Sequence, residues 1–147
     1  RAIVTVDFGE QERSRVSVEL EESKSTMQVS LRDGKPVLRL SIRIEAGIKE
    51  VLSETGGGVE IDQLPQIQNA VSARIKSTVE EVVDQVFFSQ KSDIFRYSEF
   101  IRKEEPDYWK QHHEDFEQVV EDCTFEIDVE CIIDHPGLEA SHTQENS

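Results

Sequence analysis

Residues 27–48 read MQVSLRDGKPVLRLSIRIEAGI, and an Asp-Gly pair at positions 33 and 34 separates two alternating runs. A two-residue Asp-Gly loop suits a hairpin because both central residues must adopt positive φ. Such a loop pairs Arg32 with Lys35, hence Leu31 with Pro36, Val29 with Leu38 and Met27 with Leu40. Directly paired residues share a face, so this register brings the apolar residues of both runs to one side. The second run continues with Ile42, Ile44, Ala46 and Ile48 on that side and Arg39, Ser41, Arg43 and Glu45 opposite. The pattern predicts a long antiparallel strand with one wet face.

Upstream, Ala2, Val4, Val6 and Phe8 alternate, as do Val16, Val18 and Leu20 after the polar turn GEQERS. Met27, Val29 and Leu31 resume the alternation after EESKS, which reads as a further break between strands. Downstream, SETGGGVEID (53–62) interrupts the pattern, and three successive glycines predict a flexible connection. Asp62 is the expected helix cap, with Pro65 in the first turn. From Leu64 the apolar positions Ile67, Val71, Ile75, Val79, Val82, Val83 and Val86 recur at three and four, the stripe of one long amphipathic helix. Ser92 or Asp93 caps a short second helix through Phe100 and Ile101. Pro106 opens a third, striped by Trp109, Phe116, Val119 and Val120.

The last alternation, CTFEIDVECIID, places Cys123, Phe125, Ile127, Val129, Cys131 and Ile133 on one face and Thr124, Glu126, Asp128, Glu130 and Asp134 on the other. The expected fold is therefore α+β with two layers: a mainly antiparallel sheet of four to five strands, one face covered by one long and two shorter helices. A domain over residues 1–138 and a disordered polar tail over 139–147 complete this reading.

A net charge of −15 over 147 residues repels phosphate backbones and anionic headgroups, which argues against nucleic acid as a partner. Cys123 and Cys131 lie eight apart on one extended stretch, about 26 Å at strand rise, beyond disulfide reach. Gly56, Gly57 and Gly58 lack the Lys-Ser/Thr of a phosphate loop. In QHHEDFE, His113 and Glu117 have helical ligand spacing, but two ligands do not complete a metal site, and border positions on an amphipathic helix explain His112 and His113. No nucleophile context is present, so neither catalysis nor a cofactor is expected.

The segment Lys91-Ser92-Asp93-Ile94-Phe95, followed by Glu99-Phe100-Ile101-Arg102-Lys103, Pro106 and Trp109, resembles the signature of the Ger(x)C family. These are the lipoprotein C-subunits of spore nutrient germinant receptors. The hairpin Leu31 to Pro36, the long helix and a last strand ending near Gly137 follow in the family's order, so the resemblance covers residues 3–138. Arg96 and Ser98 depart from it, standing where the family favours glycine.

The resemblance implies an exported protein whose lipid anchor and first domain elements lie upstream of Arg1. It implies a place at the outer face of the spore inner membrane, beside integral-membrane A- and B-type receptor subunits. Helical spacing and composition give Asp93, Phe95, Phe100 and Trp109 structural roles, with Asp93 capping a helix. Arg96, Tyr97 and Arg102 are the candidate partner contacts, since Tyr and Arg are effective interface residues. Capture of a nutrient by the domain itself is the alternative function.

Overall fold

A computed structural model describes residues 2–53 and 56–134; the expected tail over 139–147 and Gly137 lie outside them. Four strands, β1 (Ile3–Phe8), β2 (Ser14–Arg32), β3 (Lys35–Leu52) and β4 (Thr124–Ile133), lie side by side in sequence order. Between β3 and β4 come α1 (Leu64–Val82), a π-helical extension of it (Val83–Ser89), α2 (Tyr97–Glu104), α3 (Pro106–His112) and α4 (Phe116–Asp122). The architecture is α+β, as the residue pattern predicts.

The hairpin forms at the predicted place. Asp33 and Gly34 adopt φ of 53° and 77°, the two left-handed residues of a type I′ turn. Leu38, Leu40, Ile44 and Ala46 of β3 are buried, whereas Arg39, Arg43 and Glu45 on its other face are exposed.

EESKS is not a turn. β2 runs unbroken through it, yet its buried residues change parity, from Val16 and Val18 before it to Met27 and Val29 after it. β3 turns its even-numbered residues inward across the matching stretch, from Leu38 to Ala46, so β2 carries one extra residue. Glu21 lies over the outward side of Gly47, and Glu22 lines a polar hollow with Lys24, Arg43 and Glu45. Two consecutive side chains on one face are the mark of a β-bulge. The phase slip that looks like a strand boundary in the sequence is that bulge.

The sheet is mainly antiparallel, as expected, with one parallel pair at its end. Arg39 meets Glu126 at 3.0 Å, Arg43 meets Glu130 at 3.8 Å, and the Asp134 N–H donates to the Ala46 carbonyl at 3.0 Å. Partners that advance together along both strands make β4 parallel to β3, with the helices forming the crossover that parallel neighbours require. Arg39 holds the Glu126 carboxyl below the usual carboxylate range, chiefly by hydrogen bonding, with Arg32 adding its charge.

The chain divides into two compact units, each with its own core. Among the described residues, the first comprises 2–24, 43–53, 56–75 and 129–134; in it Val6, Phe8, Val16 and Ala46 pack with Ile67 and Val71 of α1. Val59 is fully buried there, so the glycine-rich connection is pinned just after its glycines. The helix cap is Glu60, reciprocally bonded with Gln63, and not the expected Asp62. Helix side chains also blunt the outer edge of β4: the Cys131 N–H donates to Ser72 Oγ at 3.0 Å and the Ile133 N–H to Gln68 Oε1 at 2.9 Å.

The second unit comprises residues 25–42 and 76–128. Its core sets Met27, Val29, Leu38 and Leu40 beneath Val83, Phe87, Tyr97, Ile101, Val119 and Val120. The π-helical turn shifts the stripe of the long helix, so Phe87 is buried and the expected Val82 is 42% exposed. Phe87 meets Phe88, Tyr97 and Phe125 edge-on at centroid distances of 4.8, 4.6 and 5.4 Å. Phe100 and Trp109 are half-buried against this core.

The expected third helix is two. It stops at His112, and Asp115 caps α4 by accepting the Gln118 N–H at 3.3 Å. A competing cap site inside the apolar stripe ends one helix and starts another.

Gly34→Ala tests the turn geometry. A left-handed L-residue costs about 1–2 kcal/mol, so the urea midpoint should fall by that equivalent; an unchanged midpoint would reject the type I′ turn.

Candidate functional site

The elbow joining the long helix to α2 is built from an unusual backbone. Lys91, Phe95 and Arg96, none of them glycine, take φ of 53°, 56° and 54°. Each left-handed L-residue costs about 1–2 kcal/mol, so this geometry persists only where neighbouring interactions hold it. The Asp93 carboxylate supplies one such hold: it accepts the Ser98 N–H at 3.1 Å and the Ser98 hydroxyl at 2.6 Å. It thereby satisfies a free donor in the first turn of α2 across the intervening 3₁₀ turn Ile94–Arg96. Lys91 Nζ donates to the Phe88 carbonyl at 3.4 Å, fixing the near side of the elbow.

These left-handed residues decide which side chains face water, and they overturn two expectations. Tyr97, expected as an exposed contact, is fully buried between Phe87 and Phe116. Phe95, expected in the core, is 43% exposed, with only a tilted approach to Phe125 at 6.3 Å. Periodicity assumes right-handed helical backbone, and two successive residues at positive φ reverse the roles of side chains two apart.

Arg96 sits beside Phe95 and is the more exposed member of the elbow's ion pair. Its guanidinium reaches Glu99 at 3.9 Å, with side-chain exposures of 81% and 61%, so solvent screening leaves that pair worth little. Arg102 is exposed, in the last turn of α2, where a cation complements the helix dipole. Six residues further along the helix, it does not share Arg96's side of α2. The structure thus places Phe95 with Arg96 at the elbow and leaves Arg102 apart from them.

The departures from the family pattern have separate explanations. Arg96 occupies a left-handed position that glycine would enter without steric cost. Ser98 has ordinary backbone, and its hydroxyl gives Asp93 a second donor that glycine lacks.

Buried polar groups nearby are chemically quiet. The Tyr97 and Tyr108 hydroxyls find no hydrogen-bond partner among the described residues. Burial raises the Tyr97 pKa well above the usual phenol range and pushes Tyr108 up to about 12. Burial likewise pushes the free thiols of Cys123 and Cys131 up to about 12 and 11, leaving both protonated at neutral pH.

His112 Nδ1 lies 2.9 Å from the Tyr108 carbonyl and His113 Nδ1 2.9 Å from the Trp109 carbonyl. Since carbonyls only accept, both Nδ1 atoms carry hydrogen and serve the helix end. The spacing of His113 and Glu117 is lost at the break between α3 and α4. No group of three metal-ligating residues occurs among the described residues, and no helix there is long and apolar enough to cross a membrane.

Tyr97→Phe removes a hydroxyl that has nothing to bond. The thermal midpoint should hold or rise; a loss beyond about 1 kcal/mol would reveal a partner for the hydroxyl.

A family model described as "Spore germination B3/ GerAC like, C-terminal" matches residues 1–137. Among solved structures, the chain is similar to the crystal structure of the GerBC protein, with a TM-score of 0.73 and 19% identity over 90% of this chain. The match spans 41% of that protein's chain, and at this identity it speaks for the fold. No curated protein matches.

Proposed function

Since this chain belongs to the spore germination B3/GerAC-like C-terminal family, we propose that it serves a germinant receptor as a non-catalytic C-subunit domain. Its work is contact with other receptor subunits, the integral-membrane A- and B-type chains. In the whole protein, an upstream lipid anchor holds the domain at the outer face of the spore inner membrane.

One observation supports this reading above others: the elbow that bears the family signature spends its backbone energy on presenting Phe95 and Arg96 outward. Non-glycine residues in left-handed conformation cluster where function holds them, and an aromatic beside a cation is a good interface anchor. Arg102, on another side of α2, is a separate candidate contact. Tyr97, fully buried, supports the elbow from inside.

A photo-crosslinking residue at position 99, exposed beside Arg96, in the full-length protein in intact spores should capture a membrane subunit of the receptor. Phe95→Ser and Arg96→Gly should each reduce that capture severalfold while the isolated domain keeps its thermal midpoint. Arg96→Gly should even raise it, by about 0.5–1 kcal/mol, because glycine relieves the left-handed cost. Capture that is unchanged in both variants would reject the elbow as the contact. A defined heat of binding on titration with amino acids or sugars would instead favour nutrient capture.

A further inference from the structure

β1 covers only the first part of β2: the pairing ends with Ile3 opposite Glu19 and the Leu20 N–H on the Ala2 carbonyl at 2.9 Å. Beyond that point β2 continues to Arg32 with β3 on one side and, among the described residues, no strand on the other. Within this free edge, Ser25-Thr26-Met27-Gln28-Val29-Ser30-Leu31 is the longest uncharged run on any of the four strands, and it contains neither proline nor glycine.

The hairpin register shows which amides are free. In a two-residue hairpin the residues flanking the turn, Arg32 and Lys35, form a hydrogen-bonded pair. The even-numbered residues of β2 near the turn therefore bond to β3, and the odd-numbered ones point to the open edge. Val29 confirms the parity, because its N–H donates outward, to Glu104 Oε2 of α2, at 2.7 Å. Soluble proteins blunt such edges with charge, proline or covering segments. Here a single carboxylate holds one amide of an uncharged edge.

We propose that the β2 edge from Ser25 to Leu31 is a strand-addition surface whose occupant is the same edge of a second copy, and that Glu104 is the plug the second copy displaces. Antiparallel pairing about Met27 sets Ser25 opposite Val29 and Thr26 opposite Gln28, and closes as a two-fold contact. Val29 then donates to the second copy's Ser25 carbonyl in place of Glu104. The charge pattern selects this partner: an uncharged run meets its own copy without like-charge pairs, whereas most of the remaining surface of a chain at −15 repels itself. The same net charge makes the association strengthen with salt.

Sedimentation equilibrium on the full chain, at low and high salt, tests this. The wild type should show a weak, salt-promoted dimer. Glu104→Ala should tighten it by about tenfold or more, the equivalent of one competing charged hydrogen bond. Ser25→Pro, which removes an outward N–H and leaves the β3 pairing alone, should abolish it. Ser25→Lys serves the same end if the proline variant does not fold. Hydrogen exchange of the Met27 and Leu31 amides should slow only at concentrations where the dimer forms. A monomeric Glu104→Ala protein at high salt, a dimer indifferent to both Ser25 variants, or concentration-independent protection of those amides would each overturn the proposal. A foreign extended peptide that protects them while the chain stays monomeric would overturn it too, assigning the edge to another partner.

Discussion

Everything in this structure hangs from a hairpin whose register is imposed by two left-handed residues, Asp33 and Gly34. With that register in place, β3 turns its even-numbered residues inward from Leu38 to Ala46, and each core is built on its own stretch of the same two strands. β2 can serve both stretches only by correcting its phase, since its apolar residues are even-numbered before Glu21 and odd-numbered after Glu22. Without the extra residue, one end would turn its valines or its Met27 and Val29 toward water. Burying such side chains is worth about 1.5–3 kcal/mol each, far more than the local disruption of one bulge.

The elbow shows a second use of left-handed backbone. Asp33 and Gly34 close a turn that the fold needs, whereas Phe95 and Arg96 re-aim side chains. Their conformation buries Tyr97 against Phe87 and leaves Phe95 at the surface. Asp93 stabilises the arrangement through Ser98, so the family signature reads physically as a cap, a strained turn and an exposed aromatic-cation pair.

Linear periodicity was legible wherever the backbone stayed regular. It yielded the hairpin register, the inward face of β3, the first part of the long helix and the alternation of β4. It misled where the backbone changed period: at the bulge in β2, at the π-helical turn beyond Val82, at the cap Asp115 and at the elbow. At the bulge the apolar residues were right as a set and only their phase failed, whereas the buried Phe87 and Tyr108 lay outside the expected stripes and Phe95 and Tyr97 exchanged roles. The parallel placement of β4 was illegible for a different reason, because one strand's alternation carries no direction. The roles of Glu104, Ser72 and Gln68 at strand edges arise from tertiary proximity alone. Of the candidate contacts, the exposure of Arg96 and Arg102 was legible from residue type, while the burial of Tyr97 required the φ of its two predecessors.

Deletion of Glu22 tests the phase correction most directly. Removing the extra residue makes β2 a regular strand whose valines, Met27 and Val29 all share one face, so cooperative thermal unfolding should survive with a shift of only a few degrees, about 1 kcal/mol at this size. Deletion of Ser17 or Ser30, which inverts a buried set, should abolish cooperative unfolding. If loss of Glu22 proves as destructive as loss of Ser17, the two ends of β2 are not one strand in corrected phase, and a bulge does not set the register of this sheet.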